Sequence, residues 1–300
     1  MALKQVKNKI VSTQKTGKVT KAMESVSAVK MRKSQQRAFA GRPYVHAALR
    51  ILSRLSDSQD GLNHPLAQVR AEGKQLLVIV TSDKGLAGAV NSSVLKRAMQ
   101  AFENNSDTDV VAIGRKALEF AKREGKEVVS EYTNVSDEVT LEDIQSITST
   151  IMDSYTSGTY SNVAVIYQNF LSTFEQEPVR GEILPLKTEE IVKVMGGIKP
   201  KTGKFSDNTS EQDGKIIYTV EPSAEEVLNT LIPQLVQIML YHALLESKAS
   251  EHSSRMVAMK NATDKSKEVV KALTLVYNKQ RQAAITAEVS EISGGIEAMK

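Results

Sequence analysis

Three hundred residues and 32.9 kDa leave room for two domains, and 41% hydrophobic content is ample for a core, although 5% aromatic content and the lack of Trp make that core thin. With no Cys, disulfides, thiolate metal ligands and thiol nucleophiles are excluded, and His46, His64, His242 and His252 do not fall at metal-ligand spacings. Net charge is only +4, but it is unevenly distributed along the chain. The start, Met1-Ala2-Leu3-Lys4-Gln5, lacks the apolar core of a signal peptide, and no apolar run approaches membrane-spanning length, so a soluble cytoplasmic chain is expected.

The first predicted stretch, Leu3 to about Leu55, is helix-rich, opening a heptad at Leu3, Val6, Ile10 and Thr13 that continues through Gly17, Thr20, Glu24 and Ser27. Its seam is small and polar, so it lets two backbones come close but buries little area. Gly41 and Pro43 are expected to kink or interrupt it. Up to Pro43 the positive residues are Lys4, Lys7, Lys9, Lys15, Lys18, Lys21, Lys30, Arg32, Lys33, Arg37 and Arg42, against Glu24 alone. Such a helix seeks phosphate, anionic lipid or carboxylate, unless it is simply a solvated face.

The middle of the chain changes rhythm. Leu76-Leu77-Val78-Ile79-Val80 reads as a strand buried on both faces, followed by the loop Ser82-Asp83-Lys84-Gly85-Leu86-Ala87-Gly88 and a helix from about Ser92 to Phe102. A second strand at Asp109 to Gly114, a helix from Arg115 to about Glu124, a strand at Val128 to Tyr132, a helix around Leu141 to Tyr155 and a strand at Val163 to Tyr167 follow, with an edge strand near Val179 to Leu184. Alternation of this kind predicts a small parallel α/β layer with crossover helices.

That layer invites a nucleotide, but the loop chemistry opposes one. Gly85 and Gly88 lack the third glycine of a dinucleotide fingerprint. Gly197 to Phe205 has five residues between its glycines, and Phe205 stands where a magnesium-binding hydroxyl is needed. Asp83 reads as a turn or helix-start residue rather than a catalyst. No cofactor, no metal and no direct small-molecule ligand are expected. Residues 196–215 are polar and read as a passive linker.

The chain closes on a helix from Pro222 to about Glu291, with an unbroken heptad seam at Leu228, Leu231, Leu235, Ile238, His242, Leu245, Ala249, His252, Met256, Met259, Thr263, Ser266, Val270, Leu273, Tyr277, Gln280, Ala284 and Ala287. A sustained heptad imposes a left-handed supercoil with a partner, and a helix of this span is roughly 100 Å long. The first helix is the expected partner. Pro233 is expected to bend the first turns or break the helix near Thr230.

Three stretches closely resemble the gamma subunit of the bacterial F-type ATP synthase: Lys18 to Lys33 in the first helix, Ser82 to Asn91 in the loop, and Ser253 to Asp264 continuing into Leu275 to Thr286 in the last helix. The resemblance departs at Lys84 and Ala87, where that family often has Arg and Cys, and in a longer polar stretch before Tyr218. The lack of Cys rules out the thiol switch of chloroplast relatives.

The resemblance implies an antiparallel coiled coil of the terminal helices carrying a small Rossmann-like α/β domain, divided as residues 1–57 (first coil helix), 75–195 (α/β domain), 196–220 (linker and foot) and 221–291 (second coil helix). It implies a non-catalytic rotor stalk in a proton-translocating ATP synthase, peripheral on the cytoplasmic face of the bacterial membrane, with the alpha and beta subunits of the head, the epsilon subunit and the membrane c-ring as partners. Met23, Arg255, Arg281, Gln282, Thr286 and Glu288 are the implied head-contacting residues, and Lys30, Arg32, Arg42, Tyr218 and Glu221 the implied foot. It also places the loop holding Ala87 in an exposed position. Two other readings stay open on the residues: a nucleic-acid-binding coiled coil using the basic helix, although no aromatic readout groups lie among the basics from Lys4 to Arg37, and a nucleotide-dependent enzyme built on the middle domain.

Overall fold

A computed structural model describes residues 3–41, 43–44, 47–48, 51, 64–187, 189 and 223–298. The polar stretch 196–215 and the foot residues Arg42, Tyr218 and Glu221 lie outside the described residues. In chain order the elements are α1 (Leu3–Ala40), β1 (Lys74–Val80), α2 (Val90–Asn104), β2 (Thr108–Ile113), α3 (Arg115–Arg123), β3 (Val128–Tyr132), α4 (Leu141–Thr156), β4 (Tyr160–Phe170), β5 (Gln176–Leu184) and α5 (Ala224–Ala298). Two compact units result: residues 28–255, and residues 1–27 with 256–300.

The larger unit is built on one five-stranded sheet in the order β3-β2-β1-β4-β5. β1 pairs in parallel with β2 and β4, β2 in parallel with β3, and β5 closes the edge antiparallel to β4. Strand alternation divides the apolar run of β1 between two cores. Leu77 and Ile79 join Val94, Ala98, Ala117 and Phe120 of α2 and α3 on one face. Leu76, Val78 and Val80 join Ile144 and Ile151 of α4 and Ile232, Leu235 and Leu240 of α5 on the other. Both faces are covered, which is why the central strands β1, β2 and β4 are buried nearly throughout.

α4 begins on a reciprocal cap: the Asp143 amide donates to Thr140 Oγ1 at 3.2 Å and the Thr140 amide donates to Asp143 Oδ2 at 2.9 Å. The start of α5 is marked by Ser223, whose Oγ accepts from the Glu226 amide at 3.2 Å.

α5 runs on through Pro233, so of the two expected outcomes the break near Thr230 does not occur. Ile232 and Leu235 beside it are fully buried, and that packing outweighs one lost backbone bond. α1 ends at Ala40 with Gly41 in a turn, at the interruption expected there, and the described residues 43–44, 47–48 and 51 are again helical. A stretch of α5 is apolar and long enough to pass as a membrane span, which amends the expectation of none; more than half of it is buried inside the protein, as in a core helix.

In the smaller unit the two terminal helices run antiparallel. Thr20 and Thr263 share a hydroxyl hydrogen bond of 2.7 Å, and one turn away an added Cβ at Gly17 would lie 3.3 Å from Ser266 Cβ. Along α1 every predicted seam position, from Leu3 through Ser27, is buried or half-buried while its neighbours outside the seam are mostly exposed. On α5 the seam stays covered through Gln280, but Ala284 and Ala287 are exposed. The register explains that correction: extending it from Thr20 opposite Thr263 brings Leu3, the first residue of α1, opposite Gln280.

Candidate functional site

In a doubly wound sheet a ligand sits outside the carboxyl ends of the strands, where successive crossovers part, here between β1 and β4. This crevice is filled by the chain itself. Asp83 Oδ1 accepts from the Arg115 amide at 3.0 Å and Thr81 Oγ1 from the Ala117 amide at 2.8 Å, so the first amides of α3, where a phosphate would bind, are capped from within. Asp83 thus serves as the expected helix-start residue, but for a helix across the sheet rather than the next one. The loop after β1 lies against α5: Ser254 Oγ donates to Ala87 O at 2.8 Å, and Arg255 Nη2 reaches Gly85 O at 3.3 Å and Lys84 O at 3.5 Å. On the other side of β1, beside the end of β2, a cavity of about 10 Å³ lined by Thr81, Gly114, Val135 and Lys248 has room for one water.

Within the larger unit, the loop between β3 and α4 carries a second constellation. Lys30 Nζ donates to Asp137 Oδ2 at 2.5 Å, His252 Nε2 lies 3.1 Å from Asp137 Oδ1, and Lys248 Nζ is 3.7 Å from the same oxygen while donating to Val135 O at 2.9 Å. Next to it, Glu138 meets Lys33 at 3.3 Å and Arg37 at 3.5 Å. The His252 hydrogen bond, aided by Lys30 and the charge of Lys248, holds the Asp137 carboxyl far below the ordinary carboxylate range against the opposing effect of burial. Deeper in the core, burial and then the nearby Glu246 push the Tyr167 hydroxyl well up, keeping it a neutral donor. Among the described residues no group of His, Asp and Glu could hold a metal ion.

The expected head-contacting residues separate into two settings. Arg255 is buried in the larger unit, where its Nη2 pairs with Glu251 at 2.7 Å. In the smaller unit Met23 is half-buried, and Arg281, Gln282, Thr286 and Glu288 are all exposed on α5 beyond the covered seam. Of the expected foot, Lys30 is bonded to Asp137 and Arg32 is exposed. Ala87 is 2% exposed, not open as expected; the loop turns its neighbour Leu86 outward, 65% exposed at φ +61°. Sequence reasoning missed Asp137 and so did not join Lys30, expected in the foot, to His252, expected in the seam. The available signal was the spacing of Lys30, Lys33 and Arg37 on one face of α1 and of Lys248 and His252 on one face of α5.

The fold and its occupied crevice define a class of protein in which a Rossmann-like sheet serves as a scaffold on a pair of long terminal helices. A family model described as ATP synthase matches residues 2–299, and the chain belongs to that family, as a member of its gamma-chain branch. It is 38% identical to the ATP synthase gamma chain of Symbiobacterium thermophilum over 303 residues, covering 99% of this chain and 98% of that one. With the gamma chain of Heliobacterium modesticaldum it shares 35% identity over 298 residues, 99% of each. Among solved structures, a chain in the central stalk and c-ring of Tetrahymena thermophila mitochondrial ATP synthase is similar at a TM-score of 0.59 and 27% identity, over 81% of this chain and 99% of that one. A chain of the Euglena gracilis mitochondrial enzyme in rotational state 3 matches at a TM-score of 0.65 over 99% of this chain and 94% of that one; at 16% identity it speaks for the fold alone. The comparisons give no support to the nucleic-acid reading.

Proposed function

We propose that the chain is the central rotor stalk of a proton-translocating F-type ATP synthase, coupling rotation of the membrane ring to ATP synthesis or hydrolysis in the head. It is a subunit of an enzyme complex and contributes no catalytic site of its own. Its partners are the alpha and beta subunits of the head, the epsilon subunit and the c-ring, and it lies peripherally on the cytoplasmic face of the membrane. The observation that carries the reading is the end of α5. Past Gln280, beside the exposed seam positions Ala284 and Ala287, Ile285, Val289, Ile292 and Ile296 form an apolar stripe at heptad spacing, 51–64% exposed. An apolar stripe of that length left open in water calls for a surrounding surface, and the bore of a catalytic head supplies one. Arg281, Gln282, Thr286 and Glu288 beside the stripe, with Met23 and Arg255, are the head-contacting set. Lys30, Arg32, Arg42, Tyr218 and Glu221 belong to the foot.

The absence of Cys gives a direct test. With Ser106→Cys, at an exposed turn before β2, a bead can be attached at one point while the head is fixed to a surface. ATP should drive continuous one-way rotation of the bead; a bead that only diffuses about one angle while the head turns over ATP contradicts the proposal.

A further inference from the structure

α1 is held to the larger unit by little apolar packing. Of its residues, the large core cluster takes in Ala38, with Phe39 packed against it. Its seam toward the start of that unit is Met31 and Ser34, one of them a hydroxyl. A helix gripped this weakly can slide by one turn, about 5.4 Å, and find similar small seam residues again.

The loop between β3 and α4 opposes such sliding. Its two adjacent carboxylates meet cations at 30, 33 and 37 on α1, successive turns of one face, and a lysine and imidazole at 248 and 252 on α5, again one face. Lys248 and His252 are only 10% and 3% exposed, so Asp137 is the carboxylate that compensates their removal from water. Displacing α1 by one turn toward its own C-terminal end would put uncharged Val26 or Ser27 where Lys30 meets Asp137, so sliding in that direction costs the bridge to α1.

We infer that the Asp137-Glu138 pair is a register clamp: it fixes α1 axially and rotationally against α5 so that both helices and the sheet turn as one body. The inference rests on the rotor reading. The clamp is asymmetric. Asp137 is 32% exposed and bridges both helices, whereas Glu138 is 60% exposed and among the described residues pairs with α1, so Asp137 holds the register and Glu138 supplements it.

The test uses the whole complex in inverted membrane vesicles, comparing ATP-driven proton pumping with ATP hydrolysis in the same preparation. Asp137→Asn keeps the shape and removes the charge; the ratio of pumping to hydrolysis should fall at least about two-fold, with subunit content unchanged, because torque is lost to slippage. Asp137→Glu restores the carboxylate and should bring the ratio back toward the parent value. Glu138→Gln should lower it by a smaller step, and being exposed it decides the matter if Asp137→Asn fails to assemble. An unchanged ratio in Asp137→Asn, or in Glu138→Gln where only that variant assembles, overturns the clamp. Membranes whose complex lacks this chain test the rotor reading separately: coupled pumping there would remove the rotor itself, whatever the variants do.

Discussion

At Gly114 the chain turns from β2 into α3 with φ at +90°, a region that side-chain-bearing residues avoid. A Cβ there would stand 2.2 Å from the carbonyl oxygen of Thr81 and 2.7 Å from its carbonyl carbon. Backbone at that distance cannot yield without moving β1. The same Thr81 also caps α3 through its hydroxyl, so one displacement would strain the turn and loosen the helix start together. Gly114→Ala should destabilise the larger unit by about 3 kcal/mol or more, combining backbone strain with overpacking. The urea midpoint of the purified chain measures this; a midpoint within error of the parent would mean that the loop relaxes freely. Gly88 shows the same economy at the other loop. Its φ is +58° and an added Cβ would lie 2.6 Å from Ser254 Oγ, so a glycine lets the loop after β1 lie directly on α5.

At the scale of elements, the coil in the smaller unit is a compromise between closeness and burial. Thr20 and Thr263 are both buried and share their hydrogen bond, and each hydroxyl also reaches a carbonyl of its own helix, at Gly17 and Met259. Replacing one by Val leaves the other hydroxyl with its local bond but without its partner, at a cost of about 1 kcal/mol; replacing both adds apolar area at no further polar loss. Thr20→Val alone should therefore lower the helical melting midpoint, while Thr20→Val with Thr263→Val should return it to the parent value or above. Circular dichroism during heating reads this directly, and a double variant that melts below the single one would refute the account. The coil itself was legible in the sequence because a heptad is a local signal: the covered positions from Leu3 to Ser27 are those the spacing marks. The strands were legible for the same reason, since apolar runs such as Leu76 to Val80 are buried on both faces. The persistence of α5 through Pro233 and the exposure of Ala284 and Ala287 were not legible, because each depends on what another element does, the core around Ile232 in one case and the start of α1 in the other. Asp137 was hidden for the strongest version of that reason: its partners lie 107 and 115 residues away, and no local period marks a loop carboxylate.

At the scale of the whole molecule, the two units are stabilised by different means. The larger has an apolar cluster on each side of a sheet, with Leu76, Val78, Val111, Val163 and Ile232 fully buried. In the smaller, the buried apolar side chains among the described residues are Val6 and Met259, accompanied by Thr20, Ser27 and Thr263. At roughly 25 cal/mol per Å² of apolar area removed from water, two such side chains contribute only a few kcal/mol, which must offset the ordering of two helices whose partners are more than two hundred residues apart in sequence. Surface ion pairs such as Lys265 with Glu268 and Lys267 with Asp264 add little, being exposed. The free chain should therefore open in two stages. Amides of β1, β2 and β4 should exchange only with global unfolding, whereas those of α1 before Ser27 and of α5 after Met259 should exchange at least about a hundred-fold faster by local separation of the helices. Within α5 the protection should fall in one direction, high from Leu228 to Ser253 where the helix is enclosed and lowest past Gln280 where it is exposed. Hydrogen exchange read by mass spectrometry on the isolated chain tests this, and incorporation into the complex should raise protection most in the segment from Arg281 to Ala298 if the head encloses it. Uniform, global-level protection along the whole of α5 in the free chain would show that the thin seam is sufficient by itself, and the need for a surrounding bore would lose its physical basis.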